Sequence, residues 1–203
     1  YGSALEETRA DLFALYYMMD PKMVELGLLP SLDAAKAHYI SYIRNGIMTQ
    51  LKRIKLGDNI QQAHMRNRQL IAKWCYEKGK DQNVIEKIVK DNKTYYKIND
   101  FDKLRSLMGE LLADVQRIKS EGDYEAGKQL VENYGVQVDR ELHAELLDRY
   151  GKLHMAPYSG FVNPEYDVIE ENGEIKDIKV RYIDDFMTQI LKYSKDYSYL
   201  PVF

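Results

Sequence analysis

The chain has one cysteine, Cys75, one tryptophan and only five prolines in 203 residues. A lone cysteine excludes an internal disulfide and any cysteine-based zinc cluster, and it fits a reducing compartment. There is no basic excess: 29 Lys and Arg stand against 32 Asp and Glu, a net charge of -3. That argues against a dedicated nucleic-acid binder, whose phosphate contacts need a cationic surface. No stretch approaches the roughly 18 uninterrupted apolar residues of a membrane span. The glycine spacing of a phosphate-binding loop is missing before Gly127-Lys128. His143-Ala144-Glu145 has no second histidine four residues on, so the helical zinc-peptidase pattern is not met, and it reads as a surface pattern. No internal repeat, heptad, low-complexity stretch or Ser-His-Asp signature is present. The first residue is Tyr and no signal-peptide pattern follows it. The expectation is a piece of a longer protein, cytoplasmic, with export left open because the native N-terminus is absent.

What is present is ordinary globular material, 45% hydrophobic and 30% charged, enough for one domain and a small extension. The run from Ser3 to Met18 reads as a helix. Ser3 stands three residues before Glu6, the spacing of a capping box, and Arg9 can pair with Glu6 one turn on. Glu7 and Asp11 are left over on one face with Ala10, Ala14 and Met18. From Leu12 onward the helix is apolar all round, as in a buried helix. Two readings of the acid pair are open. It is solvated at the helix end and favoured by the dipole, or it enters a protected site as a metal-ligand carboxylate with a second acid orienting another ligand.

Downstream, Pro21 suits the start of a short helix through Leu26. Ser31 caps a long helix over 32–56, with Ala35, Tyr39, Tyr42, Ile43, Ile47 and Leu51 at helical spacing. A helix over 60–78 contains Ala63-His64-Met65-Arg66-Asn67-Arg68. His64 and Arg68 are four apart and share a face, either as plain surface or as donors to a polarised carbonyl and a carboxylate. The run 83–89 reads as a short helix and 93–98 as an extended link. Helices follow over 100–119, 123–135 and 139–150. After Gly151 the composition changes: a Pro/Gly loop over 156–164, then two β-prone runs flanking Asn172-Gly173, a hairpin signal. A short helix over 184–194 and a tyrosine-rich tail complete the chain, and the apolar tail is expected to dock.

Glu6-Glu7-Thr8-Arg9-Ala10-Asp11 followed by an apolar helix resembles the second signature of the dipeptidyl peptidase III family of zinc exopeptidases, Glu-Glu-Cys/Ala-Arg-Ala-Glu/Asp. The Ala-His-Met stretch and the Ala-Pro-Tyr loop at 156–158 are similar to segments of that family. The resemblance implies Glu7 as a zinc ligand, Asp11 as the acid supporting a zinc-bound histidine, His64 as a donor to the developing oxyanion, and Arg68 as a substrate contact. The family's other two ligands and its catalytic glutamate come from a preceding His-Glu-x-x-Gly-His helix, which this chain lacks.

The expected fold is therefore mainly α: a multi-helix catalytic-lobe fragment over 1–155, with a loop, β-hairpin, short helix and tail over 156–203. The implied function is that of the C-terminal part of a zinc dipeptidyl peptidase. It would be inactive and without tightly bound zinc alone, its partners being peptide substrates and the rest of the parent chain, with no nucleic acid and no membrane. The competing reading is a non-catalytic helical scaffold or interaction module.

Overall fold

The computed structural model describes residues 1–154, 161–183, 185–199 and 201. Of the expected loop over 156–164, residues 156–160 lie outside the described residues, as do Leu200, Val202 and Phe203 of the tail. The chain divides into two compact units, Tyr1–Leu153 and His154–Phe203.

In the first unit, helix α1 spans Gly2–Met18, α2 Pro21–Glu25, α3 Leu32–Ile47 and α4 Ala63–Lys78. A hairpin of β1 (Ile85–Lys90) and β2 (Lys93–Ile98) follows. Then come α5 (Phe101–Glu121), α6 (Tyr124–Val131) and α7 (Arg140–Gly151). The mainly helical expectation holds. Helix α1 lies against α4 and α5, and α3 against α4. Leu12, Leu15, Tyr39, Ile43, Leu70, Ile71, Leu104, Met108 and Leu111 form the centre of the core.

Several local expectations are corrected. Ser3 is not a cap: α1 begins a residue earlier with Tyr1 as N-cap, because Tyr1 is anchored by its hydroxyl donating to Glu132 and its ring edge against Tyr124. Nor is α1 buried all round. Leu5, Thr8, Leu12 and Leu15 face the core, while Ala10, Phe13, Ala14 and Tyr17 form an exposed strip. Helix α3 stops at Ile47 rather than running to Leu56, and a 3-10 turn over Thr49–Arg53 follows. There the Gln50 amide turns back to donate to the carbonyls of Gly46 and Met65, both at 3.0 Å.

The run 83–89 is not a helix. Asn83 adopts φ 50° and ends the preceding turn, and β-branched Ile85, Ile88 and Val89 enter β1. Asp91 and Asn92, at φ 51° and 56°, close a two-residue hairpin whose backbone twist matches the strands, pairing Ile85 with Ile98 through to Lys90 with Lys93. The helix expected to reach Gly135 ends at Val131 and continues as a π-helical turn over Glu132–Val136. His143 is fully buried, not on the surface. Its Nε2 sits 3.0 Å from the Leu51 carbonyl and 3.1 Å from that of Ile54, so it closes the end of the 3-10 turn onto α7.

In the second unit, β3 (Pro164–Glu171) and β4 (Glu174–Tyr182) pair antiparallel around Asn172-Gly173, both at positive φ. Helix α8 (Phe186–Asp196) is capped by Asp185, whose carboxylate accepts from the Thr188 amide at 2.8 Å. Buried Gln189 ties α8 to the strand entry by donating to the Phe161 carbonyl at 2.6 Å.

Candidate functional site

The acid-rich first turns of α1 meet α3 and α4 along one seam. The close approach of α3 to α4 depends on Gly46, where an added Cβ would stand 2.3 Å from the Arg68 carbonyl oxygen and 2.7 Å from the Ala72 Cβ. That brings Tyr42 of α3 and His64, Asn67 and Arg68 of α4 to the same end of α1.

The two glutamates of the run separate by environment. Glu6 is committed to cations, accepting from Arg9 and from Lys119. The Arg9 hydrogen bond first, then that of Lys119, holds its carboxyl down at about 2. Glu7 points to the other side, where its Oε2 lies 3.1 Å from His64 Nδ1, with the two side chains 34% and 54% exposed. A carboxylate and an imidazole thus share one accessible rim.

One turn further, Asp11 is half-buried and held by two donors. The Tyr42 hydroxyl donates to its Oδ2 at 2.8 Å and the Asn67 amide to the same oxygen at 3.1 Å. Among the described residues, Oδ1 has no hydrogen-bond partner, so one oxygen is locked and the other left to a further donor. Burial, and then the charge of Asp11, push the Tyr42 phenol far above its ordinary range, which keeps it a neutral hydrogen-bond donor. Arg68 is half-buried, and its charge is felt by the Tyr42 phenol. Among the described residues it has no hydrogen bond or ion pair.

Of the four residues singled out in the sequence, the structure brings Glu7 to His64 and sets Asp11 and Arg68 around Tyr42. Tyr42 and Asn67 were missed as site residues. Tyr42 read as one member of an apolar stripe, and Asn67 lay unremarked between two arginines. The available signal was Asn67's place three residues after His64, which puts an amide on nearly the same helix face.

The donors are of the right kind for zinc, one carboxylate and one imidazole, but too few. A zinc site needs at least three protein ligands, and no group of three or more His, Cys, Asp or Glu side chains suited to a metal exists among the described residues. These residues do not by themselves compose a zinc site. Residues 1–178 match the sequence profile of Peptidase family M49. The chain belongs to peptidase family M49. This M49 chain is 27% identical over 147 residues to Dipeptidyl peptidase 3 of Mus musculus, covering 68% of this chain and 20% of the relative. The same figures hold for Dipeptidyl peptidase 3 of Rattus norvegicus. The chain thus spans about a fifth of the length of the curated relatives it matches. The resemblance to the dipeptidyl peptidase III family is borne out. No helix among the described residues of this M49 chain is long and apolar enough to cross a membrane.

Proposed function

We propose that this chain is part of the zinc-binding lobe of a dipeptidyl peptidase III-like enzyme that releases dipeptides from peptide N-termini. The observation that supports this best is the meeting of Glu7 with His64 at 3.1 Å, beside an Asp11 held on one oxygen. Family membership supplies the peptidase context. In the intact enzyme Glu7 is this chain's contribution to the metal. The free oxygen of Asp11 accepts from a ligand histidine, His64 donates to the substrate carbonyl oxygen, and Arg68 holds a peptide carbonyl or carboxylate. The two histidine ligands and the catalytic glutamate belong to the rest of the parent chain, so the present residues alone bind no tight zinc and hydrolyse nothing.

Glu7→Gln in the intact parent tests the reading. Zinc content and dipeptide release should fall together while helicity stays unchanged. A second reading, a helical scaffold, is favoured by the uncharged exposed strip of Ala10, Phe13, Ala14 and Tyr17 on α1. Under it, Glu7→Gln leaves partner binding intact and there is no zinc to lose. Stoichiometric zinc or hydrolysis in the isolated 203-residue chain, with contaminants excluded, would overturn the half-site proposal.

A further inference from the structure

On another side of α4 lies a concavity of about 620 Å³, a size suited to a small organic ligand. Its floor includes Gln69, which is fully buried. The Gln69 amide nitrogen donates to the carbonyls of Tyr134 and Gln137, both at 3.1 Å. Those two bonds fix the orientation of the amide, since a flip would set oxygen against two carbonyl oxygens. Its Oε1 is left buried with no partner among the described residues, an arrangement that native interiors avoid unless something else supplies a donor.

The rim is built by the π-helical turn Glu132–Val136, which carries Asn133 and Tyr134 to the edge. Such turns are rare and occur frequently at functional sites. Lys73, Lys80 and Lys87 line the same space, with Glu77 and Asp139. Both acids are already engaged, Glu77 by the Tyr134 hydroxyl at 3.0 Å and Asp139 by the amides of Glu141 and Leu142 that it caps. Among the described residues none of the three lysines has a carboxylate partner; Lys73 donates to the Gln137 carbonyl. Three ammonium groups against two carboxylates leave one positive charge, which matches a monoanion rather than a polyphosphate. Tyr76 and Tyr96, edge to face at 5.4 Å, supply an aromatic wall.

We infer that this pocket binds a small aromatic monocarboxylate, such as the C-terminal aromatic residue of a peptide. The carboxylate meets the lysines and the ring packs on Tyr76 and Tyr96. The site is separate from the Glu7–His64 seam and does not depend on the function proposed for it.

The test is a titration of the 203-residue chain with N-acetyl-L-phenylalanine, followed by amide chemical shifts. Saturating shifts centred on Lys73, Lys87, Asn133 and Tyr134 are expected. N-acetyl-L-phenylalanine amide, which lacks the carboxylate, should bind roughly tenfold more weakly or worse, as loss of a charged hydrogen-bond partner implies. The exposed pair Lys80→Met and Lys87→Met should give a similar loss with unchanged circular dichroism. Absence of saturation at millimolar ligand overturns the inference. So do equal affinity for acid and amide, equal affinity of the folded double variant, or shifts centred elsewhere.

Discussion

At the residue scale, the seam turns on which oxygen of which acid is free. Tyr42→Phe keeps the half-buried ring and removes the hydroxyl donor to Asp11. Loss of a hydrogen bond to a charged group should cost about 1–3 kcal/mol of unfolding free energy, read by urea denaturation. Asp11→Asn should cost less in the Tyr42→Phe background than in the natural chain, because both changes strike the same bond. Glu6 makes a separate prediction with a definite sign. Its carboxyl is lowered from 4.5 to about 2 by Arg9 and then Lys119. Its contribution to stability is therefore full above the unfolded value and lost as pH falls through about 2. The difference in melting temperature between the natural chain and Glu6→Gln should be widest at neutral pH and close towards the acid limit. The acid run was legible because a glutamate, a second glutamate and an aspartate at these offsets match a known signature. The pairing of Glu6 with Arg9 was legible too, but the other partners of the acids were not. Whether a carboxylate meets Lys119, His64 or Tyr42 depends on helices up to 113 residues away, which spacing does not encode. His143 failed for the same reason: nothing local indicates that two carbonyls of the turn after α3 would bury it.

At the scale of elements, caps and apolar stripes gave the helices their starts, as Ser31 does for α3 and Asp100 for α5, whose side chains accept from the amides of Ala34 and Lys103. Stops were harder. The apolar periodicity of α3 runs on past Ile47 through Leu51, but the chain turns because Gln50 captures the Gly46 carbonyl. The 83–98 hairpin was readable in principle from Asp91-Asn92 between two β-branched runs. Reading 83–89 as a helix put weight on a short apolar run, for which helix and strand periods are hardest to tell apart. The hairpin is also pinned from afar: Glu145 of α7 accepts from the Thr94 amide at 2.8 Å and the Thr94 hydroxyl at 2.7 Å. Gly46→Ala tests the α3–α4 contact. The gain in helix propensity is about 1 kcal/mol, but the new Cβ meets backbone at 2.3 Å, which cannot swing aside. We expect a net loss of about 2 kcal/mol in chemical denaturation, with a disturbed environment at His64 visible in its imidazole resonances.

At the scale of the molecule, the buried hydrophobic residues among the described ones run from Ala4 to Leu146, all inside the first unit. A chain ending at Leu153 should therefore unfold in one cooperative transition with undiminished helix signal per residue for that unit. The two-stranded β3–β4 hairpin exposes Tyr166, Val168, Ile178, Val180 and Tyr182. A lone two-stranded hairpin is marginal in water, so its amides should exchange with solvent far faster than those of α4 and α5. Loss of cooperativity on truncation would mean that the last 50 residues, not the helical core, hold the fold. One further consequence belongs to the order in which a ribosome delivers these parts. Helix α1 has one packing partner, α4, at Ala63–Lys78 and the other, α5, some 100 residues downstream, with the Lys119 that holds Glu6 inside it. At ordinary elongation rates, that partner follows after about 5–20 s. The helix bearing Glu7 and Asp11 precedes both partners, can be covered first by α4, and has its seat completed only once α5 has been made. Within these residues, the acids of the seam are made before most of their surroundings.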